Sequence, residues 1–330
     1  MGDRNTSVLE QYDFQVLRTG RGRGAVLCET NCGLKLLKEY TGTLERLSME
    51  DEILNLIKDS GGLVDNYMRN SFDRVLSIDG DGTKYVVKNW FEARECDVRS
   101  MTEILAAVRT LAKLHKILEV IPERLKEGLQ SFQGISLERE IEKHHRELKR
   151  ARSFMRNKHK KSEFELQVLH NFEQFYQQGE EALKMLHQSA YTELRNKALD
   201  ICTVCHGNYN QHNVLVYGRR IAIINFDKMC VNLQITDLYL FMRKILEKHN
   251  WDNKLGMAML EEYQKEKRIL EEEYDILLIL FSYPEKFWKV VNHYYNNNKA
   301  WIPQKDIDKL NVIVNQNDEK RKFIEKMKGV

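Results

Sequence analysis

Apolar and polar positions follow two different rhythms along the chain, and the change falls near residue 92. Before it, Tyr12–Arg18, Ala25–Glu29 and Leu34–Glu39 are short runs of aromatic, β-branched and other apolar residues, the composition of strands. The turn sequences Gly20-Arg21-Gly22-Arg23-Gly24 and Asn31-Cys32-Gly33 separate them, so three strands are predicted in hairpin order. Glu45–Asp59 places Leu47, Ile53, Leu54 and Ile57 at helical spacing and closes on Gly61-Gly62. Phe72–Ile78 and Lys84–Asn89, split by Asp79-Gly80-Asp81-Gly82, predict one more hairpin.

Beyond residue 92 the period becomes helical. Met101–Leu118 repeats Ile104, Leu105, Val108, Leu111, Ala112 and Leu114 along one face, and Leu137–Asn157 and Ser162–Leu199 continue in that manner. A short β-rich insert, Ile201–Asp227, interrupts them. Helices resume at Thr236 and break only around Asn296–Asn298 and Trp301-Ile302-Pro303. Three widely spaced prolines, Pro122, Pro284 and Pro303, leave room for long helices. A small sheet with one helix, followed by a large helical part carrying a β-insert, is an α+β plan in two lobes. The expected lobes are residues 1–92 and 93–330.

Composition narrows the partners. A length of 330 residues, 42% hydrophobic and 31% charged, suits an ordinary globular protein with one large core or two. A net charge of +3 does not by itself argue for nucleic acid. No stretch reaches the roughly 18 apolar residues of a membrane span, so no membrane partner is expected. The opening residues lack the basic-then-apolar order of a secretory signal. Gly2 and Thr6 fit the myristoylation pattern, a match short enough to arise by chance. Six cysteines in a chain of this length read as reduced thiols. The basic run from Lys143 to Lys161 reads as a solvated helix face, or more sharply as a docking surface for an anionic partner. Phe154 and Phe164 do not make a base-stacking platform, so specific nucleic-acid recognition is not expected.

The chemistry concentrates in Cys205-His206-Gly207-Asn208-Tyr209-Asn210-Gln211-His212-Asn213-Val214-Leu215-Val216 and, after a Gly218-Arg219-Arg220 turn, Ile223-Ile224-Asn225-Phe226-Asp227. Loop, strand, tight turn, strand and polar step is the layout of a kinase catalytic loop followed by its metal-binding segment. Cys202-Thr203-Val204-Cys205-His206 also spells a haem-attachment motif, but haem is not expected without export. Zinc on Cys202, Cys205, His206 and His212 is not expected either, because a strand points the two cysteines to opposite faces.

These segments resemble the His-Gly-Asp-x-x-x-x-Asn and Ile-Asp-Phe-Asp signature of aminoglycoside and choline kinases. By that resemblance Lys38 is the phosphate-pairing lysine, with Lys35 as the alternative register. Glu52 is the glutamate that holds the lysine, with Glu50 as its alternative. Leu111-Ala112-Lys113-Leu114-His115 looks like the helix end that begins the large lobe, and Asp237-Leu238 like the pair that braces the loop. More narrowly, Arg21-Gly22-Arg23-Gly24-Ala25, Arg94-Glu95-Cys96-Asp97, the basic helical insert and His293-Tyr294-Tyr295 leading to Ala300-Trp301-Ile302-Pro303 resemble the spore-coat CotS family. The resemblance implies a protein-kinase-like two-lobe fold with ATP as the nucleotide. It also implies cytoplasmic synthesis followed by deposition on the spore coat, with other coat proteins as partners.

The chain departs from that signature at the residues that matter most. Asn208 stands where the family's catalytic aspartate accepts the substrate proton, and Asn225 where its metal-gripping aspartate stands. A neutral amide cannot take up a hydroxyl proton, an assistance worth about 10²–10⁴ in rate. It also removes a negative ligand that Mg²⁺ prefers. Asn213 keeps the family's metal-binding asparagine, and Asp227 is available as a substitute ligand. The expectation is a catalytically impaired kinase-fold scaffold or ligand-binding module, with Mg²⁺ weakly held or absent. The alternatives are an ATP-dependent kinase of a sugar or amino alcohol, using Asp227 and Asn213 for one metal, and a sensor that binds nucleotide without hydrolysing it.

Overall fold

The computed structural model describes residues 7–22, 24–296 and 304–329. Gly2, Thr6, Arg23 and the segment Ala300 to Pro303 lie outside them. The chain divides into two compact units, Met1–Phe132 with Ile201–Val231, and Gln133–Asp200 with Asn232–Val330. The first carries the sheets and the second is helical, a mixed α+β architecture.

In the first unit three strands form in the predicted order, β1 (Val16–Gly22), β2 (Ala25–Thr30) and β3 (Gly33–Glu39). β1 begins later than the expected Tyr12–Arg18 and runs through Gly20 to Gly22, which were expected in the turn, because these residues pair with Leu27, Val26 and Ala25. After α1 (Leu44–Asp59) and the short β4 (Leu63–Val64) come β5 (Leu76–Ile78), β6 (Lys84–Asn89) and β7 (Arg94–Glu95). The main sheet runs β1-β2-β3-β6-β5. Side chains alternate across it. Leu37 of β3 and Tyr85 and Val87 of β6 face a core with Val8, Leu9, Tyr12 and Cys28. Leu36, Lys38, Val86 and Lys88 therefore share the opposite face, with Lys38 opposite Val86 and Leu36 opposite Lys88 in the register. Thr43 caps α1, its hydroxyl accepting the Arg46 N–H.

The unit continues with α2 (Met101–Glu119) and α3 (Glu123–Leu129) and is completed by Ile201–Val231. Both helices join it because α1 packs on them and α2 packs on the insert. The insert opens with β8 (Val204–Cys205) once the second unit's first three helices, α4 (Leu137–Asn157), α5 (Glu163–Gln188) and α6 (Tyr191–Asp200), have been traversed. β9 (Val214–Tyr217), β10 (Arg220–Ile223) and β11 (Cys230–Val231) follow. β10 lies between β9, antiparallel, and β4, parallel, while β11 pairs with β8.

In the second unit α4 and α5 bury Leu148, Ala151 and Met155 with Phe164, Val168 and Phe172, and Tyr294 and Tyr295 pack against this core. The connection between the helices is fixed by a capping box, Ser162 with Glu165. The buried Glu165 carboxylate also accepts from Lys158 Nζ and the Tyr294 hydroxyl, each at 2.7 Å. The helix expected over Ser162–Leu199 is two helices. Ser189 leaves helical geometry at ψ 170°, its hydroxyl donating to Leu186 O and accepting the Tyr191 N–H.

The rest of the unit is α7 (Ile235–Lys248), α8 (Asn253–Gln264), α9 (Glu271–Ser282), α10 (Glu285–Asn296) and α11 (Gln304–Lys328). Every residue from Ile276 to Phe281 in α9 is buried, as in a helix surrounded by others. Among the described residues no helix is long and apolar enough to cross a membrane.

Gly207, just after β8, has φ +76°, and a Cβ there would collide with the Lys228 carbonyl oxygen. Substitution Gly207→Ala is therefore expected to cost about 2–4 kcal/mol, since backbone strain and a backbone clash coincide. Urea unfolding against Gly218→Ala checks this. Gly218 also has positive φ, but its Cβ would meet nothing within 4 Å.

Candidate functional site

The loop after β8 is held from beneath by two buried side chains. Tyr209 donates its hydroxyl to Ala107 O of α2 at 2.8 Å. His206 accepts the Asn208 N–H on Nδ1, so Nε2 carries the proton and donates to Ile224 O. The imidazole thus ties the start of the loop to the strand before Asn225. His212 pairs with Glu95 at the surface. Among the described residues no group of three or more His, Cys, Asp and Glu side chains could hold a metal ion.

Asn208, Asn213 and Asn225 come together as a network of amides. Asn213 Nδ2 donates to Asn208 O at 2.9 Å, and Asn225 Nδ2 donates to Asn213 Oδ1 at 2.9 Å. Asn210, which the sequence did not single out, donates to both Asn208 O and Asn208 Oδ1. Asn225 is left-handed, φ +64°, a conformation that Asn and Asp tolerate better than most residues.

Two residues on, Asp227 accepts from Lys38 Nζ at 2.7 Å. Burial works against the Asp227 charge, but the Lys38 ammonium, with Lys88 farther off, outweighs it and holds the carboxyl below its ordinary range. The contribution of this pair is thus present at neutral pH and lost as pH falls through that lowered value. Half exposed, it adds little stability; its effect is to fix where the lysine points.

The two lysine registers lie on opposite faces of the sheet. Lys35 lies on the core face, its ammonium donating to Cys32 O and Asn89 Oδ1. Lys38 lines a pocket of about 200 Å³ with Tyr40, Arg46, Glu50, Tyr67 and Lys88.

Glu52 is not in this pocket. Its carboxylate pairs with Arg124 of α3 at 2.8 Å, and the α1 carboxylate lining the pocket is Glu50. Residues two apart on a helix lie about 200° apart around its axis, so only one of the two can face the lysine strand. Glu50 is itself engaged, accepting from Arg46 Nε at 3.0 Å and from the Tyr67 hydroxyl at 2.6 Å. Arg46 also donates to Asp227 O and Met229 O, tying α1 to the segment after Asn225. Burial and Glu50 push the Tyr40 phenol up to about 12, and that of Tyr67 higher still.

Behind Lys38 lies a buried ion pair that the residue pattern did not reveal. Asp65, fully buried after β4, accepts Lys88 Nζ at 2.9 Å and the Asn225 N–H at 3.2 Å on one oxygen. Lys88 also lies over the Tyr67 ring, 4.4 Å from its centroid. A lone aspartate after Leu63-Val64 was the available signal. Asp237, the expected brace, is buried in the first turn of α7.

The sheet, the helix behind it and the loop with its following hairpin define a kinase-like phosphotransferase fold. Residues 6–327 match the family described as "Spore coat putative kinase YutH", and the chain belongs to that spore coat family. An aminoglycoside phosphotransferase from Alicyclobacillus acidocaldarius superposes with a TM-score of 0.87 at 16% identity, over 98% of this chain and 95% of its own. Spectinomycin phosphotransferase APH(9)-Ia, solved with ADP and spectinomycin, gives 0.66 at 12% identity over 96% and 97%. A microcompartment-associated aminopropanol kinase gives 0.56 at 12% identity over 98% and 97%. At these identities the likeness carries the fold.

The Lys88–Asp65 pair generates a stability prediction. Lys88→Met strands a buried carboxylate and is expected to cost about 3–5 kcal/mol. Adding Asp65→Asn removes the charge while keeping an acceptor for the Asn225 N–H, so the double variant should recover most of the loss. Urea midpoints of the two variants measure it.

Proposed function

We propose that this protein is a kinase-fold component of the spore coat that binds a ligand or partner without carrying out phosphoryl transfer. The observation that supports this reading is the amide network. At the two positions where relatives of this fold place carboxylates the chain has Asn208 and Asn225, and the Asn225 amide is spent on Asn213 Oδ1. No carboxylate there is placed to accept a hydroxyl proton. The only nearby acid of the segment, Asp227, is engaged by Lys38. Mg²⁺ in phosphotransferases is held by one or two carboxylates together with phosphate oxygens. Two hydrogen-bonded amides and one ion-paired carboxylate do not fit that requirement.

The nucleotide fits only in part. On this reading Lys38 is the residue that would meet a phosphate, and Asp227, which now pairs with it, would have to yield first. Nucleotide affinity should therefore be modest, dependent on Lys38 and nearly independent of Mg²⁺. Other coat proteins are the expected partners, and the outer face of α4 offers them Lys143, Arg146 and Arg150. The first two of these also face acids one turn away on their own helix.

A second reading, an ATP-dependent small-molecule phosphotransferase, is favoured by the persistence of Lys38 and Asp227 and by neighbours that are such enzymes, among them the spectinomycin and aminopropanol kinases. It would require Asp227 to leave Lys38 and take the metal with Asn213.

Thermal-shift titration with ATP and ADP, each with and without Mg²⁺, separates the two, since a ligand of the folded state raises apparent stability. The expected outcome is no Mg²⁺-dependent gain and no transfer to hydroxyl acceptors above background. Turnover of about 1 s⁻¹ or faster, or a tenfold tightening by Mg²⁺, about 1.4 kcal/mol, would establish the enzyme reading instead. The variant Asn208→Asp/Asn225→Asp should be less stable alone, because it adds two like charges. It should regain stability with Mg²⁺ and ATP, and each single change should do much less.

A further inference from the structure

The helical unit encloses a cavity that the chemistry above does not use. It measures about 40 Å³ and lies between α7, α11 and the junction of α9 with α10. Tyr239, Arg243 and Glu247, spaced four apart, bring one face of α7 to it, and Asn317 and Lys320 bring one face of α11. The junction forms because a proline pushes the residue before it out of helical geometry. Tyr283, ahead of Pro284, stands at ψ 135° and ends α9. Phe281 and Phe287, both buried, flank the break and supply an apolar wall.

Three side chains that line this cavity carry a polar atom with no hydrogen-bond partner among the described residues: Arg243 Nε, the Tyr283 hydroxyl and Asn317 Nδ2. Each of these residues is at most 5% exposed, and an unpaired polar group so deeply buried is costly. Arg243 and Asn317 are also held in place from their other ends. Arg243 Nη1 donates to Glu247, and Asn317 Oδ1 accepts from Gln178 Nε2 at 3.2 Å. Lys320 adds a fourth group, giving one hydrogen to Tyr283 O at 2.9 Å and keeping two. All four groups are able to donate, so a guest has to accept.

Charge decides what kind of acceptor suits them. The two carboxylates that line the cavity are taken, Glu247 by Arg243 and Lys286, and Glu285 by Lys289. Lys320 forms no ion pair among the described residues. Removal from water pushes its ammonium down to about 7, and the attraction of Glu247 does not compensate. An anion beside it would supply the missing counter-charge. One water needs roughly 10–15 Å³ of cavity, so the space suits a guest of about three or four non-hydrogen atoms. That admits a carboxylate the size of formate or acetate and excludes a sugar or a nucleotide. We propose that this cavity binds a small monocarboxylate, its oxygens accepting from Arg243, Tyr283, Asn317 and Lys320 and its carbon end resting on the aromatic wall.

Thermal unfolding of the full chain in rising sodium acetate, with ionic strength held constant by sodium chloride, tests the site. Acetamide, of the same shape without the charge, is the control. Acetate should give a saturable rise in melting temperature, since a ligand of the folded state stabilises it, and acetamide should give none. Tyr283→Phe removes only a hydroxyl and should raise the acetate concentration at half-saturation at least tenfold. Lys320→Met should do the same. Arg139→Gln, which removes an exposed charge of α4, should leave it unchanged. No rise with acetate would leave the cavity to water and overturn the assignment. So would an equal rise with acetamide, half-saturation unchanged in both cavity variants, or a tenfold change in Arg139→Gln.

Discussion

A carboxylate with no contact with water holds the sheet-bearing unit in register. Asp65 is buried after β4, and a buried charge is costly unless it is paired and hydrogen-bonded. Its one engaged oxygen takes Lys88 from β6 and the backbone N–H of Asn225 from the loop after β10. Three segments far apart in sequence therefore converge on one atom, and separating β6 from the residue after β4 would strand a charge. The pairing also determines the neighbouring chemistry. Because β6 alternates, Lys88 shares a face with Val86, and the β3–β6 register sets Lys38 beside them. Because Asn225 is held by its N–H in a left-handed turn, its side chain meets Asn213, and Asp227 meets Lys38.

Much of this was legible in the residues because it depends on local rules. Strand and helix periods, glycine turns and the loop-to-hairpin order are short-range signals, and the family match spans nearly the whole chain. The break at Ser189 was not legible, since a single serine bonding its own backbone leaves no trace in an apolar pattern of period 3.6. Which α1 carboxylate lines the Lys38 pocket was not legible either. Glu50 and Glu52 both suit a helix, and only the packing of α1 against α3 decides that Glu52 turns to Arg124. Lys88 and Asp65 lie 23 residues apart and carry no motif, and their pairing is a product of tertiary burial.

The charges of this region balance without any bound cation. Lys38 meets Asp227, Lys88 meets Asp65, and Arg46 meets Glu50. Restoring carboxylates at positions 208 and 225 would add two negative charges beside this set. One of them would stand next to Asp65, whose oxygen already accepts the residue 225 N–H. In active phosphotransferases metal ions supply the compensating charge, and the cluster is complete only when loaded. With amides at both positions that repulsion is absent, and the Asn213 side chain joins the two segments, donating to Asn208 O and accepting from Asn225 Nδ2. Asparagine in exchange for aspartate at both positions thus leaves a region whose charges are paired within the chain itself. What the exchange leaves intact is the scaffold around it: the anchored loop, the capped α1 and the lysine strand, all of which a binding protein needs as much as an enzyme does.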